Sequence, residues 1–213
     1  MSRIYLASTN PGKLRELQEA AQHLAVELEL LPGLKSIPPP AEDGQTFEEN
    51  ACIKAEYYSR FVPGERVLAE DSGLSLESLH GAPGVYSARY AAMLKDGKAS
   101  NTNSSDAENN AALIAQLERL PEEKHAGKYI CVIALAQDGK TLGTFQGKVA
   151  GELRTIPRGS GGFGYDPLFY FPGLGKTFAE LPVEEKRRHS HRGDAFRKFF
   201  EWYRAGAHLP ARD

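Results

Sequence analysis

The sequence predicts an α/β protein built on a mixed β-sheet, and three observations carry that expectation. Short apolar runs alternate with helix-periodic segments from Ile4 to Leu120. Two β-rich runs then follow one another across Asp138-Gly139, which requires an antiparallel pair. The chain closes on a helix with Phe196, Phe199, Phe200 and Tyr203 at i, i+3, i+4 and i+7, a wide apolar face for one side of a sheet.

The elements can be justified in order. Arg3 to Ala7 reads as a short apolar strand, and Ser8-Thr9-Asn10-Pro11-Gly12 as a turn into a helix. Leu14, Leu17, Ala21 and Leu24 share one face of that helix. Thr46 and Glu49 form a capping-box pattern before a second helix, whose stripe is Phe47, Ala51, Ala55 and Tyr58. Val67-Leu68-Ala69 reads as a buried strand that ends on Glu70-Asp71-Ser72-Gly73. The segment Leu94 to Asp106 is rich in Lys, Asn and Ser and has no period, so it reads as an exposed, mobile loop. Ser105 and Glu108 cap a third helix carrying Ala112, Leu113, Leu117 and Leu120. Tyr129 to Ala136 and Thr141 to Val149 are the two hairpin strands, and the last helix runs from about Arg192 to Arg204.

At 213 residues the chain can bury a real core as one domain or two small lobes. A net charge of −2 argues against a general nucleic-acid binder, so any positive site must be local. Cys52 and Cys131 lack metal-like partner spacing and read as buried free thiols of a reducing cytosol. No signal-peptide pattern precedes Ile4, and no apolar run approaches the roughly 18 residues of a membrane span. A cytoplasmic protein without a membrane partner is expected.

The densest chemistry lies in Gly161-Gly162-Phe163-Gly164-Tyr165-Asp166-Pro167. Glycines expose backbone N–H groups to a phosphate or base edge, and the aromatic rings offer a stacking face. Gly-aromatic turns also occur for purely structural reasons. Ser8 to Lys13 stands between a strand and a helix, where unpaired N–H donors and Lys13 would attract an anion. Plain capping by Asn10, with Pro11 first in the helix and Lys13 solvated, fits the same residues. The pattern is not a P-loop, which needs a longer Gly-rich loop.

Glu70-Asp71, with Glu42 and Asp43 in the loop before the second helix, are the hard oxygen ligands that a Mg²⁺-assisted reaction needs. One of them could also take a proton from water. Lys186-Arg187-Arg188-His189-Ser190-His191-Arg192 is the densest basic cluster, able to neutralise a polyphosphate or direct donors at a base. It reads equally as a solvated basic turn. His23, His80, His125 and His208 have no recognisable partner and read as surface or packing residues.

Together, Ser8 to Lys13, Thr46 to Ala51, Glu70 to Leu74, Gly81 to Tyr90, Gly161 to Pro167 and Ser190 to Gly193 resemble the signature set of the inosine triphosphate pyrophosphatase family. Its bacterial members are non-canonical purine NTP pyrophosphatases (dITP/XTP diphosphatases). The resemblance spans Ile4 to Phe200. It implies an elongated α/β fold over residues 1–213: two lobes of one domain around a long mixed sheet, with a central nucleotide cleft. It also implies a homodimer and Mg²⁺-dependent hydrolysis of ITP, dITP and XTP to monophosphate and pyrophosphate, which cleanses the nucleotide pool.

By motif, Asp71 corresponds to the proton acceptor and a metal ligand, with Glu42 and Glu70 as the further metal ligands. Ser8, Thr9, Asn10, Pro11, Gly12, Lys13, Ser72 and Lys186 would hold phosphate and sugar. Phe163, Gly164, Tyr165 and Asp166, with His191 and Arg192, would hold the base. A site that donates to a 6-keto oxygen would reject adenine, whose amine leaves each donor unpaired at roughly 1–3 kcal/mol. Two positions depart from the pattern: Glu70 stands where relatives often carry a second Asp, and the Leu94 to Asp106 loop is longer than usual. A pyrophosphatase for modified pyrimidine or methylated guanine triphosphates is one rival reading. A catalytically silent nucleotide sensor is another, although a sensor needs no water-activating base.

Overall fold

The elements run β1 (Arg3–Leu6), α1 (Pro11–Gln22), β2 (Glu27–Leu30), α2 (Phe47–Ser59), β3 (Arg66–Leu76), α3 (Tyr90–Asp96) and α4 (Asp106–Leu117). They continue with β4 (Ala126–Gln137), β5 (Lys140–Leu153), β6 (Phe169–Phe171), β7 (Lys176–Thr177), α5 (Val183–His189) and α6 (His191–Arg204). The structure is a computed structural model and describes residues 3–22, 27–96 and 102–206. Its strands form one seven-stranded sheet in the order β2-β1-β3-β4-β5-β6-β7. β1 is parallel to β2 and β3, and every pair from β3 to β7 is antiparallel. This is the mixed α/β sheet that the order of periodic segments predicts.

Local signals act where they fall. Asp138 and Gly139 both take positive φ, 50° and 76°, as a two-residue hairpin turn between twisted strands requires. Ser105 and Glu108 complete their capping box. Thr46 accepts from the Glu49 N–H at 3.1 Å, but the Glu49 carboxylate takes the Gln45 N–H, so only half of that box closes.

Side-chain alternation divides the core by face. Ile4, Leu6, Leu68, Cys131 and Ile133 pack on α1 and α6, burying Phe196, Phe199 and Phe200. Tyr5, Val67, Ala69, Val132 and Ala134 pack on the Phe47, Ala51, Ala55 and Tyr58 stripe of α2. A third cluster joins the far ends of β3 to β5 with Leu113 and Leu117 of α4 and with Phe169 and Phe178. β5, with 14 residues, spans roughly 45 Å and is long enough to serve both ends of the sheet.

Four expectations are corrected. β3 does not end at the acidic pair but continues through it to Leu76, because the pairing with β4 holds from Arg66↔Gln137 to Leu76↔Gly127. Leu94 to Asp96 finish α3 and Asp106 opens α4, so the predicted loop is shorter at both ends; 97–101 lie outside the described residues, as do Leu24, His23 and His208. Cys52 is half-buried rather than buried, while Cys131 is fully buried; both are free thiols. The basic run is not a turn: it forms most of α5, the Ser190 cap and the start of α6. His125 is a packing residue as expected, with Nε2 at 3.0 Å from the Leu117 carbonyl. Among the described residues no helix is long and apolar enough to cross a membrane.

Candidate active site

The site follows from the continuation of β3 through Glu70 and Asp71, since successive side chains of a strand point to opposite faces. Glu70 continues the Leu68 face toward α1 and α6, where its carboxylate meets Lys13 Nζ at 3.0 Å and Arg192 Nε at 3.0 Å. The Cys131 thiol donates to it from the next strand at 3.0 Å. Asp71 continues the Ala69 face toward α2, where Lys54 Nζ donates to Oδ1 at 2.8 Å and Asn50 Nδ2 to Oδ2 at 3.4 Å. Lys54 also donates to Glu42 at 2.9 Å.

These surroundings pull the two carboxyls in opposite directions. Burial raises the pKa of Glu70, but Arg192 and Lys13 outweigh it and hold the group well below the usual carboxylate range. Burial also raises Asp71, and Lys54 and Lys13 offset only part of that, so Asp71 stays above its ordinary value. Asp71 is the more basic of the two, as a proton acceptor should be.

From Glu70 a chain of alternating charge runs to the aromatic loop. Arg192 pairs with Glu16 of α1, Glu16 with Lys186 at 2.7 Å, and Lys186 with Asp166 at 2.5 Å. Arg192 Nη2 also donates to Ser72 Oγ at 3.0 Å. Each link is buried, so removing one partner strands the next.

The loop itself is shaped by glycine. Gly162 and Gly164 take φ of 72° and 63°, folding the chain so that Asp166 Oδ2 accepts the Phe163 N–H at 2.9 Å. The Phe163 ring lies over Gly12, where a Cβ would stand 2.5 Å from Phe163 Cδ1. Lys186 Nζ and Arg192 Cζ lie 4.9 and 5.5 Å from its ring centre. His191 stacks on Tyr129 with centroids 4.7 Å apart and planes 10° from parallel. Burial, then Arg192 and Lys186, lower the His191 pKa well below its ordinary value, so the imidazole is neutral. Its Nδ1 is buried without a partner among the described residues, a polar atom with capacity to spare.

One cleft of about 290 Å³ gathers these groups. Ser8, Thr9, Asn10, Lys13, Glu42, Glu70, Asp71, Ser72, Phe163, Gly164, Tyr165, Asp166, Lys186, His191 and Arg192 all line it. Pro11 and Gly12 do not; they open α1 and support the Phe163 ring. Asn10 caps the helix, with Oδ1 accepting from Gly12 and Lys13 N–H at 2.9 and 3.1 Å. Lys13 is paired with Glu70 rather than solvated.

Three contributors were given no role in the sequence reading, although Asn50 lies in the Thr46 to Ala51 segment. Lys54 and Asn50 were legible in principle, because they stand three positions after Ala51 and Phe47 on the same face of α2, where a purely structural helix would be apolar. Glu16 stands one turn from Lys13 and beside Leu17 on the buried face of α1.

Of the expected ligands Glu42, Glu70 and Asp71, which all line the cleft, Glu70 leaves on the strand face opposite Asp71 and pairs with Lys13 and Arg192. Among the described residues no three His, Cys, Asp or Glu groups are placed to share a metal, and strand alternation is the reason. Glu42 and Asp71 do converge, both meeting the Lys54 ammonium, so positive charge is accommodated between them. Two hard carboxylates with water and phosphate oxygens suit Mg²⁺. The lining as a whole balances Lys13, Lys54, Arg89, Lys186 and Arg192 against Glu42, Glu70, Asp71, Asp106 and Asp166. A polyphosphate entering such a neutral wall needs a counter-cation.

The fold and cleft define a mixed-sheet α/β protein with a preformed, charge-lined small-molecule site. The chain belongs to the Ham1 family, which it matches over residues 4–202. It is 50% identical to a dITP/XTP pyrophosphatase of Acidobacterium capsulatum over 91% of this chain and 94% of that protein. It is 43% identical to a dITP/XTP pyrophosphatase of Thermus thermophilus over 96% and 93%. Among solved structures it is similar to a HAM1 protein from Coxiella burnetii, at 38% identity and a TM-score of 0.82, over 96% of this chain and all of that one.

Proposed function

We propose that this chain is a nucleoside-triphosphate pyrophosphohydrolase that converts the non-canonical purine nucleotides ITP, dITP and XTP to the monophosphate and pyrophosphate. The observation that carries the reading is that a base-sized aromatic platform and a carboxylate–lysine pair open into one cleft. Similarity to named dITP/XTP pyrophosphatases over nine-tenths of the chain supports it.

In this reading Phe163 stacks the base, Arg192 and the Nδ1 of His191 meet its edge, and Lys186 moves from the expected phosphate and sugar role to the base side, since it pairs with Asp166 of the aromatic loop. Ser8, Thr9, Asn10, Lys13 and Ser72 hold the phosphates and sugar. Water attacks the α-phosphorus, and Asp71 accepts its proton. Lys54 keeps Asp71 and Glu42 aligned. Lys13 and the start of α1 face the charge that builds on the leaving pyrophosphate. Mg²⁺, held by Glu42 and Asp71, would supply charge neutralisation at the phosphates. The chain acts as one unit, since the ion chain from Glu70 to Asp166 ties its segments together, and it works in the cytoplasm as a homodimer.

The test is pyrophosphate release from ITP, XTP, GTP and ATP, with and without Mg²⁺, on a preparation sized by light scattering. Metal-dependent turnover of ITP and XTP far above GTP and ATP is expected, from a particle of twice the chain mass. Binding of ITP without turnover would instead identify a sensor. Removing the stacking ring by Phe163→Ala should raise KM for ITP about tenfold, as loss of a base–aromatic stack implies. Inhibition by inorganic tripolyphosphate should stay within about twofold, because that ligand has no base to stack. Equal losses for both would place Phe163 outside base recognition.

A further inference from the structure

Both backbone groups of Gly164, at the centre of the aromatic loop, are held by one helix distant in sequence. Its N–H donates to Asp106 Oδ2 at 2.7 Å, and its carbonyl accepts from Asn110 Nδ2 at 3.0 Å. Asp106 and Asn110 are i and i+4 on α4, so an acceptor and a donor stand one turn apart on one face. They match the donor and acceptor of a single residue. The Asn110 amide cannot be reversed, since that would set its oxygen against the Gly164 carbonyl. Among the described residues its Oδ1 is buried without a partner, so the bond to Gly164 is what places this side chain.

The neighbouring residues extend the arrangement. Asn109, buried between the two, accepts from the Ala91 N–H at 3.0 Å and donates to the Ala88 carbonyl at 3.2 Å, fixing the adjoining segment of the cleft lining. Tyr165 Oη donates to the Ser87 carbonyl at 2.8 Å, tying the loop to that same segment. Gly164 has φ of +63° and open space where a Cβ would stand, so glycine serves the backbone conformation here and not packing. A loop with Gly161, Gly162 and Gly164 is intrinsically free, and a stacking platform must be ordered before the base arrives.

We propose that Asp106 and Asn110 are positioning residues that clamp Gly164, set the Phe163 ring, and thereby govern base affinity and discrimination. The inference rests on the function proposed above.

The test compares Asp106→Ala, Asn110→Ala and Asp106→Asn, which keeps an acceptor. Glu108→Ala serves as control; it removes the Glu108 carboxylate that accepts the Ser105 N–H at 2.8 Å, one half of the α4 capping box, without touching Gly164. The two clamp deletions should raise KM for ITP about five- to tenfold, with kcat within about twofold, and lower the ITP-to-GTP ratio of kcat/KM. Asp106→Asn should stay near wild type. Hydrogen exchange of the 158–168 segment should quicken in both deletions and not in the control. Unchanged KM and exchange in the deletions would overturn the clamp, and so would an equal KM rise in Glu108→Ala, which would signify helix fraying. Should the wild type turn over no purine triphosphate, the proposed function fails. The clamp is then decided by exchange alone: faster exchange in both deletions sustains it, and unchanged exchange overturns it.

Discussion

Asp71→Asn is expected to lower kcat for ITP by about a thousandfold while leaving nucleotide affinity within about an order of magnitude, the scale of losing a general base. The same substitution should lower Tm, measured in EDTA, because Asp71 Oδ1 accepts from Lys54 Nζ and Oδ2 from Asn50 Nδ2, and an amide keeps one acceptor and sets its own N–H groups against the other donor. Burial raises the Asp71 pKa more than Lys54 and Lys13 lower it. A carboxyl with a raised folded pKa contributes stability below its ordinary value of 3.8, and that contribution is lost as pH rises through the folded value. Nucleotide affinity lost together with activity would mean that Asp71 is a structural ion-pair member. Retained turnover would remove it as the base.

Glu16→Ala is expected to destabilise the protein by about 3–5 kcal/mol, the range for removing one partner of a buried ion pair. Glu16 is the only carboxylate among the described residues that pairs with both Lys186 and Arg192. Without it two buried cations face each other with one partner apiece. At a urea slope of about 2 kcal/mol/M the midpoint should fall by roughly 2 M. Burial raises the Glu16 pKa, but Arg192 and Lys186 outweigh it and the net direction is down from 4.5. Its contribution is thus fully present above pH 4.5 and fades as pH falls through the lower folded value. The gap between wild type and variant should be constant from pH 6 to 8 and close on acidification. A gap of less than about 1 kcal/mol at pH 7 would show that the chain of charges relaxes around the loss.

Much of this protein was legible in its sequence because the relevant interactions are local. The Asp138-Gly139 turn, the Ser105 cap and the α2 and α6 stripes each depend on residues within one or two turns of each other. Their outcome follows from backbone sterics and periodicity alone. The segments that line the cleft were also named from residue type, since glycine, paired carboxylates and clustered cations have few other uses together.

What the sequence could not decide was the direction each of those residues faces. Reading β3 as ending on Glu70-Asp71-Ser72-Gly73 left Glu70 and Asp71 free to act as a pair. Hydrogen bonding to Ile133 and Val132, some sixty residues later, extends the strand and sends them to opposite faces. One becomes a buried partner of Arg192, the other a candidate base beside Lys54. The same holds for Lys186, which lies in a basic run yet turns inward to Glu16, about 170 positions away in the chain. Composition and period settle which residues a protein brings to its site. Strand pairing and helix docking, which act between residues far apart in the chain, settle which carboxylate is neutralised by a guanidinium and which is left basic enough to take a proton.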